Sequence, residues 1–155
     1  MANTYSQIHV QLVFAVKFRE AVIDPSFKEK LHQYITAIIQ QKKHKMLQIN
    51  TMPYHLHLLM GFWPDDNLFH LVKVVKAESS KWVNDNHFTP HKFAWQEGFG
   101  AFSYAKSQVP MVIKYIQNQE THRRKQNFID EYTAFLNAFG IDYEVQYIFK
   151  PLLEE

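Results

Sequence analysis

The run from Met52 to Met60 contains His55-Leu56-His57-Leu58, and it leaves few choices of local structure. Leu56, Leu58, Met60 and Phe62 recur every second residue, which places them on one face of a strand. The same alternation sends His55 and His57 side by side to the opposite face. Neutral imidazole is the commonest protein metal ligand, so the pair is either a two-nitrogen platform for a cation or two histidines on a solvated or interface face. Nine histidines in 155 residues make roughly half such a triplet expected by chance, so the triplet alone does not decide between these readings.

The rest of the chain gives this strand a setting. At 155 residues, with 46% apolar and 15% aromatic side chains, residues 1–155 read as a single globular domain with one core. There are no cysteines, which excludes disulfides, thiolate metal sites and a cysteine nucleophile. No apolar run is long enough to span a membrane and no signal-peptide pattern is present, so the expectation is a cytoplasmic protein without a membrane partner. A net charge of +2 neither requires nor opposes a polyanionic partner.

Thr4 to Lys17 alternates as a largely buried strand, with Ile8, Val10, Leu12, Phe14 and Val16 on one side and His9 and Gln11 on the other. Asp24-Pro25 opens a helix as N-cap and first residue, striped by Phe27, Leu31, Ile35, Ile38 and Ile39. Met46 to Thr51 reads as a second strand and the histidine strand follows. A second helix starts near Asp65 or Asp66. Phe93 to Gln96 and Phe99 to Tyr104 read as strands, and Ser107 caps a third helix. Asn127 to Phe139 forms a fourth helix ended by Gly140, and Glu144 to Phe149 is a candidate terminal strand. This order predicts an α+β domain of ferredoxin-like type, an antiparallel sheet with helices on one face and His9, His55 and His57 on the other.

The third helix carries Tyr115, set about 110° from the centre of its Val109/Val112/Ile113/Ile116 stripe at ~100° per residue. Gln119 lies one turn on, on the same side. A tyrosine in that position is either a boundary residue half covered by a neighbour or a nucleophile beside a ligand. Basic candidates for a nucleic-acid path are Lys73, Lys76 and Lys81 on the second helix, Lys42-Lys43-His44-Lys45 after the first, and Arg123 and Arg124 after Tyr115. Cations at helix C-termini also serve the helix dipole, so the last two clusters have two readings.

Taken together, these segments resemble a known family. Met52-Pro53-Tyr54-His55-Leu56-His57-Leu58-Leu59-Met60 is similar to the His-hydrophobic-His (HUH) motif of single-tyrosine transposases from IS200-like insertion sequences. Lys76 to Trp82 resembles the family's second-helix signature, Phe93 to Ser103 its aromatic and glycine hairpin, and Tyr115 to His122 its tyrosine helix. Tyr54 departs from the acidic residue many members carry before the first histidine, and Tyr104-Ala105-Lys106 is less typical. The resemblance implies Tyr115 as catalytic nucleophile and His55, His57 and Gln119 as ligands of a divalent metal, magnesium or manganese. It implies cleavage and rejoining of single-stranded DNA at hairpin-bearing element ends through a 5′-phosphotyrosine. It also implies a homodimer whose active sites combine the histidines of one chain with the tyrosine helix of the other.

The chemistry suits those residue types. A free phenol with pKa near ~10 is mostly protonated at neutral pH and must be activated. A cation on two imidazoles and an amide oxygen would polarise the phosphate while leaving positions open. Glu78, Asp85 and Glu120 are the acidic residues to watch near such a site. Two rivals remain. A two-histidine phosphoesterase needs two H-x-T/S motifs, and the chain offers only His87-Phe88-Thr89. A degenerate or domesticated relative would bind hairpins without turnover.

Overall fold

The computed structural model describes residues 4–120 and 127–142. Arg123, Arg124 and the candidate strand Glu144 to Phe149 lie outside the described residues. The elements are β1 (His9–Ala15), α1 (Pro25–Gln41), β2 (Lys45–Met52), β3 (His55–Gly61), α2 (Leu68–Asp85), β4 (Gly100–Tyr104), α3 (Val109–Gln117) and α4 (Phe128–Ala138), with single 3-10 turns at Lys17–Arg19 and Lys106–Gln108. The four strands form one sheet in the order β2-β3-β1-β4, with antiparallel pairing throughout. This is the ferredoxin-like arrangement, in which each β-α-β crossover leaves space for an intervening antiparallel strand.

Local chemistry explains most boundaries. The Asp24 carboxylate accepts the Ser26 amide and Pro25 opens α1, as the sequence predicts. Asn67 rather than Asp65 or Asp66 caps α2, its side chain accepting the His70 amide. The Asp66 carboxylate instead takes the His44 ring at 2.6 Å. Asn127 caps α4, and Gly140 after its end adopts φ +66°, a conformation glycine takes without strain.

Phe93 to Gln96 is not a paired strand. Trp95 makes one isolated bridge to Val16, and its ring packs edge-on against both Phe14 and Phe93 at 4.9 Å. Beside that bridge the Lys17 amide donates to the Ala94 carbonyl at 2.9 Å and the Gln96 amide to the Ala15 carbonyl at 2.8 Å, so the run makes one short antiparallel bridge while its apolar side chains pack into the core.

The face bearing Val10, Leu12, Phe14, Leu56, Leu58 and Met60 packs against the stripes of α1 and α2 in the main core. His55 and His57 point to the other face, as alternation demands. That face is not bare. Phe128 and Leu136 of α4 pack on Val13, Ala15 and Phe102, while Val112 and Ile116 of α3 pack on Leu59. Val13 and Ala15, which blur the polar side of the β1 pattern, are the floor of this second layer.

Candidate metal and tyrosine centre

His55 and His57 are 2% and 0% exposed, buried between the sheet and the α3/α4 layer. Their rings meet edge to face at 5.2 Å, and His55 stacks on Phe128 at 4.4 Å. The two imidazoles reach different segments of the covering layer. His55 Nε2 lies 3.3 Å from Gln119 Oε1. His57 Nε2 lies 2.9 Å from Glu131 Oε1, and His55 Nε2 is 3.9 Å from the same oxygen. The second oxygen of Glu131 accepts the Tyr115 hydroxyl. One buried carboxylate on α4 thus joins the histidine pair to the tyrosine.

On its other nitrogen, His57 Nδ1 sits 2.9 Å from Gln11 Nε2, and the Tyr104 hydroxyl donates to Gln11 Oε1 at 2.7 Å. With the Gln11 amide donating to Nδ1, the His57 proton resides on Nε2 and is donated to Glu131. To hold a cation on Nε2 the ring would take the other tautomer, with the Gln11 amide turned so that its oxygen accepts from Nδ1–H, the partner that fixes the ring of a ligating histidine.

The geometry of α3 is also set locally. Asn50 Nδ2 donates to the Ile116 carbonyl at 2.8 Å, pinning the end of α3 to β2. The helix stops at Gln117, with Asn118 as C-cap, so it does not continue to His122 as a single element. Gln119 still returns to the site, donating from Nε2 to the Tyr115 carbonyl at 3.4 Å while its oxygen faces His55.

These contacts shape the electrostatics. Burial works to raise the Glu131 carboxyl, but the hydrogen bonds from His57 and Tyr115 outweigh it, holding the group well below its ordinary 4.5. Burial, then the adjacent Glu131 carboxylate, pushes the Tyr115 phenol well above its ordinary 10. As built, the tyrosine is a quiet hydrogen-bond donor. A cavity of about 360 Å³ between α3 and α4 reaches both Tyr115 and Glu131, with Met111 and Phe135 in its walls.

The donor set fits a cation. His55, His57 and Glu131 present ligand atoms all within 4.8 Å of one another, and Gln119 Oε1 adds a fourth. Donors about 2.1 Å from a shared cation lie about 3.0–3.4 Å apart in octahedral or tetrahedral geometry, close to the 2.9 and 3.3 Å separations here. Two imidazoles with a carboxylate and an amide oxygen form a mixed nitrogen and oxygen set of the kind manganese accepts.

Glu131 is the site residue that sequence reasoning missed. A signal existed: it falls between Phe128 and Phe135 at helical spacing, a lone acid on the apolar stripe of α4. Two of the acids singled out instead lie elsewhere, and the third, Glu120, is exposed beside Gln119. Glu78 is exposed on α2, and Asp85 pairs with Lys81 at 2.7 Å, both on the helix layer behind the sheet. Lys73 and Lys81 are exposed on that same helix. Lys76 is committed inward, donating to the carbonyls of Gln96 at 2.7 Å and Gly98 at 2.5 Å with its ammonium over the Phe14 ring. Burial lowers it to about 8. His9 shares the histidine face but pairs with Gly61 and Tyr104 at the far end of β1, away from the cluster.

All five converging side chains, His55, His57, Tyr115, Gln119 and Glu131, belong to one chain, so their meeting needs no exchange of α3 with a partner. Among the described residues no helix is long and apolar enough to cross a membrane.

Comparison with known proteins agrees with this architecture. Among solved structures, the chain is similar to a protein from Deinococcus radiodurans R1 described as a transposase, with 22% identity, a TM-score of 0.61, and 76% of this chain and 94% of that one covered. It is similar as well to a REP-associated tyrosine transposase bound to a REP hairpin, with 13% identity, a TM-score of 0.61, and 78% and 72% of the two chains covered. At these identities the likeness is one of fold. No curated protein matches the chain in sequence. The family model described as "Transposase IS200 like" matches residues 4–119, a span holding the whole sheet, both histidines, Tyr115 and Gln119, and the chain accordingly belongs to the IS200-like transposase family.

Proposed function

We propose that this protein cleaves and rejoins single-stranded DNA at hairpin-bearing ends, with Tyr115 as nucleophile and a divalent cation held by His55, His57, Glu131 and Gln119. One observation carries the reading: the Tyr115 hydroxyl and the His57 imidazole share the two oxygens of the same buried carboxylate. The hairpin partner is suggested by the structurally similar transposase that binds one.

In the reaction, the Tyr115 oxygen attacks the scissile phosphorus, the bond from phosphorus to the 3′ oxygen breaks, and that oxygen leaves as a hydroxyl once protonated. The strand end stays on Tyr115 as a 5′-phosphotyrosine. The phenolic proton already points at Glu131 Oε2, which makes that carboxylate its nearest acceptor. When bound, the cation supplies Lewis-acid polarisation of the phosphate and offsets the Glu131 charge that opposes a phenolate. Gln11 and Tyr104 hold the His57 ring in place. Reversal by the same or another 3′-hydroxyl rejoins strands, so bond energy is conserved and no nucleotide cofactor is consumed. Among the described residues no further strand pairs with the edges at β2 and β4, and such an edge offers a second copy a place to pair, which would give the homodimer expected from the family.

The test is covalent trapping. The protein is incubated with manganese and a labelled single-stranded DNA pool carrying a central hairpin with randomised flanks, then run on a denaturing gel. The wild type should show a protein–DNA band that Tyr115→Phe lacks, while the variant binds the pool within a few-fold of wild type. An adduct formed by the phenylalanine variant, or none from either protein, would overturn the assignment of Tyr115.

A further inference from the structure

Gln11 is fully buried on the histidine face of β1, where an apolar side chain would cost less than an amide. It stands opposite Leu59 of β3 and Phe102 of β4, so His57 and Tyr104 are its diagonal neighbours, within reach of long side chains. Both are its partners. Its Nε2 lies 2.9 Å from His57 Nδ1, and its Oε1 accepts the Tyr104 hydroxyl at 2.7 Å. The amide thus joins the histidine cluster to Tyr104 across the sheet. Gln11, Tyr104, Tyr115 and Glu131 also line one cavity, the space of about 360 Å³ between α3 and α4.

The directions of these hydrogen bonds depend on His57. As built, the amide donates to Nδ1, and the Tyr104 proton is held by the amide oxygen. A cation on Nε2 requires a neutral ring with its proton on Nδ1. The Nε2 proton passes to solvent and Nδ1 takes one up, so the ring charge is unchanged. Nδ1–H and the Gln11 NH2 would then face each other as two donors, and a half-turn of the amide removes the conflict. Its oxygen accepts from Nδ1, its NH2 donates to the Tyr104 oxygen, and the Tyr104 proton turns away from Gln11. Of the described residues, Gln11 is the one hydrogen-bond partner of that hydroxyl. A half-buried donor released in this way is costly to leave unpaired, and a phosphate brought to Tyr115 supplies acceptor oxygens.

We propose that Tyr104 is a catalytic hydrogen-bond donor to the scissile phosphate, switched on through Gln11 when a cation occupies His57. The proposal rests on the function proposed above, which brings a phosphodiester to Tyr115. A donor held in place before the reaction stabilises the charge that develops on the phosphate oxygens as Tyr115 attacks. Burial holds the Tyr104 phenol up at about 12, so it keeps its proton at neutral pH and serves as a donor.

The switch is read first without DNA. Imidazole ¹⁵N NMR should show His57 Nδ1 unprotonated in the metal-free protein and protonated with zinc, a diamagnetic probe. Nδ1 protonated in both samples, or in neither, would overturn the switch. Tyr104→Phe keeps the ring and tests the donor. With manganese and the labelled hairpin pool, its adduct should form about a hundredfold more slowly. Its manganese affinity by calorimetry should stay within a few-fold of wild type, because the lost hydroxyl serves Gln11 in both states. Weakened manganese binding with a wild-type rate at saturating manganese would make Tyr104 a structural support and overturn the proposal. Gln11→Glu separates the two steps. A carboxylate only accepts, so it takes Nδ1–H and keeps the Tyr104 proton as well. Manganese should bind this variant at least as tightly as wild type, while the adduct forms as slowly as in Tyr104→Phe; an adduct at the wild-type rate would overturn the proposal. No adduct from wild type would remove the function on which the proposal rests, whereas a wild-type rate in Tyr104→Phe would overturn the role of Tyr104 alone.

Discussion

His32 allows the sharpest test of how the fold supports the site. It is buried on α1, with Nε2 2.9 Å from the Thr51 hydroxyl. Burial lowers the imidazole from 6.5 to about 4, outweighing the pull of Glu29 toward the charged form, with Lys28 adding slightly to the lowering. The folded protein therefore keeps His32 neutral in a range where the unfolded chain protonates it. A group depressed in the folded state contributes stability that is fully present above pH 6.5. That stability is lost as pH falls through the window to about 4, because the unfolded chain binds the extra proton there. A difference of about 2.5 between the two values corresponds to about 3 kcal/mol, a large part of the stability of an ordinary domain. The consequence reaches the α3 side of the candidate site. Thr51 adjoins Asn50, whose side chain accepts the Thr51 amide at 2.9 Å and donates to the Ile116 carbonyl of α3 at 2.8 Å. Urea unfolding of wild type and His32→Gln, both in EDTA, should be followed from pH 7 to pH 4. Glutamine reaches Thr51 and does not titrate. The stability of wild type relative to the variant should fall by about 3 kcal/mol across the window, with a slope near 1.4 kcal/mol per pH unit at most. A flat difference would refute the reasoning, as would a His32 titration seen by NMR near 6.5.

Two further expectations follow from the site. His57→Ala should lose high-affinity manganese binding, measured calorimetrically. It should also lower the unfolding free energy measured in urea by an amount on the order of 3 kcal/mol, because it strands the buried Glu131 carboxylate and the Gln11 amide; unchanged stability would mean that neither group depends on the imidazole. Mixing His57→Ala with Tyr115→Phe chains by co-expression should restore no adduct, since the histidines, Gln119, Glu131 and Tyr115 meet within one chain; an adduct on the His57→Ala chain in confirmed heterodimers would instead establish exchange of α3 between copies.

The strands and the first helix were legible because one rule governs each. On β1 and β3 the face toward α1 and α2 takes only large apolar side chains, so period-two alternation survives in Leu12, Phe14, Leu56, Leu58 and Met60, all 3% exposed or less. Asp24 with Pro25 encodes its helix start by capping alone. Alternation could not say what covers the other face. Val13 and Ala15 look like noise in a half-buried strand until α4 is seen to rest on them, and a helix added late in the chain leaves no mark on the strand it covers beyond such small apolar residues.

The candidate site was readable to the same limit. His55 and His57 share a strand, so alternation places that pair, and Tyr115 and Gln119 are four residues apart across the end of α3, where the Gln119 amide still donates to the Tyr115 carbonyl. Glu131 belongs to neither element. It reaches His57 across 74 residues of sequence, and only packing of α4 against Phe102 and the histidines brings it there. Its cost shows why it is informative. A carboxylate 5% exposed beneath an aromatic helix face is expensive to bury unless it is fully partnered, and both of its oxygens are taken, one by an imidazole and one by a phenol. The aromatic stripe of α4 supplies the burial and the acid set within it supplies the polarity. A sequence pattern that breaks its own apolar face at one position is therefore better read as a site than as an imperfect helix.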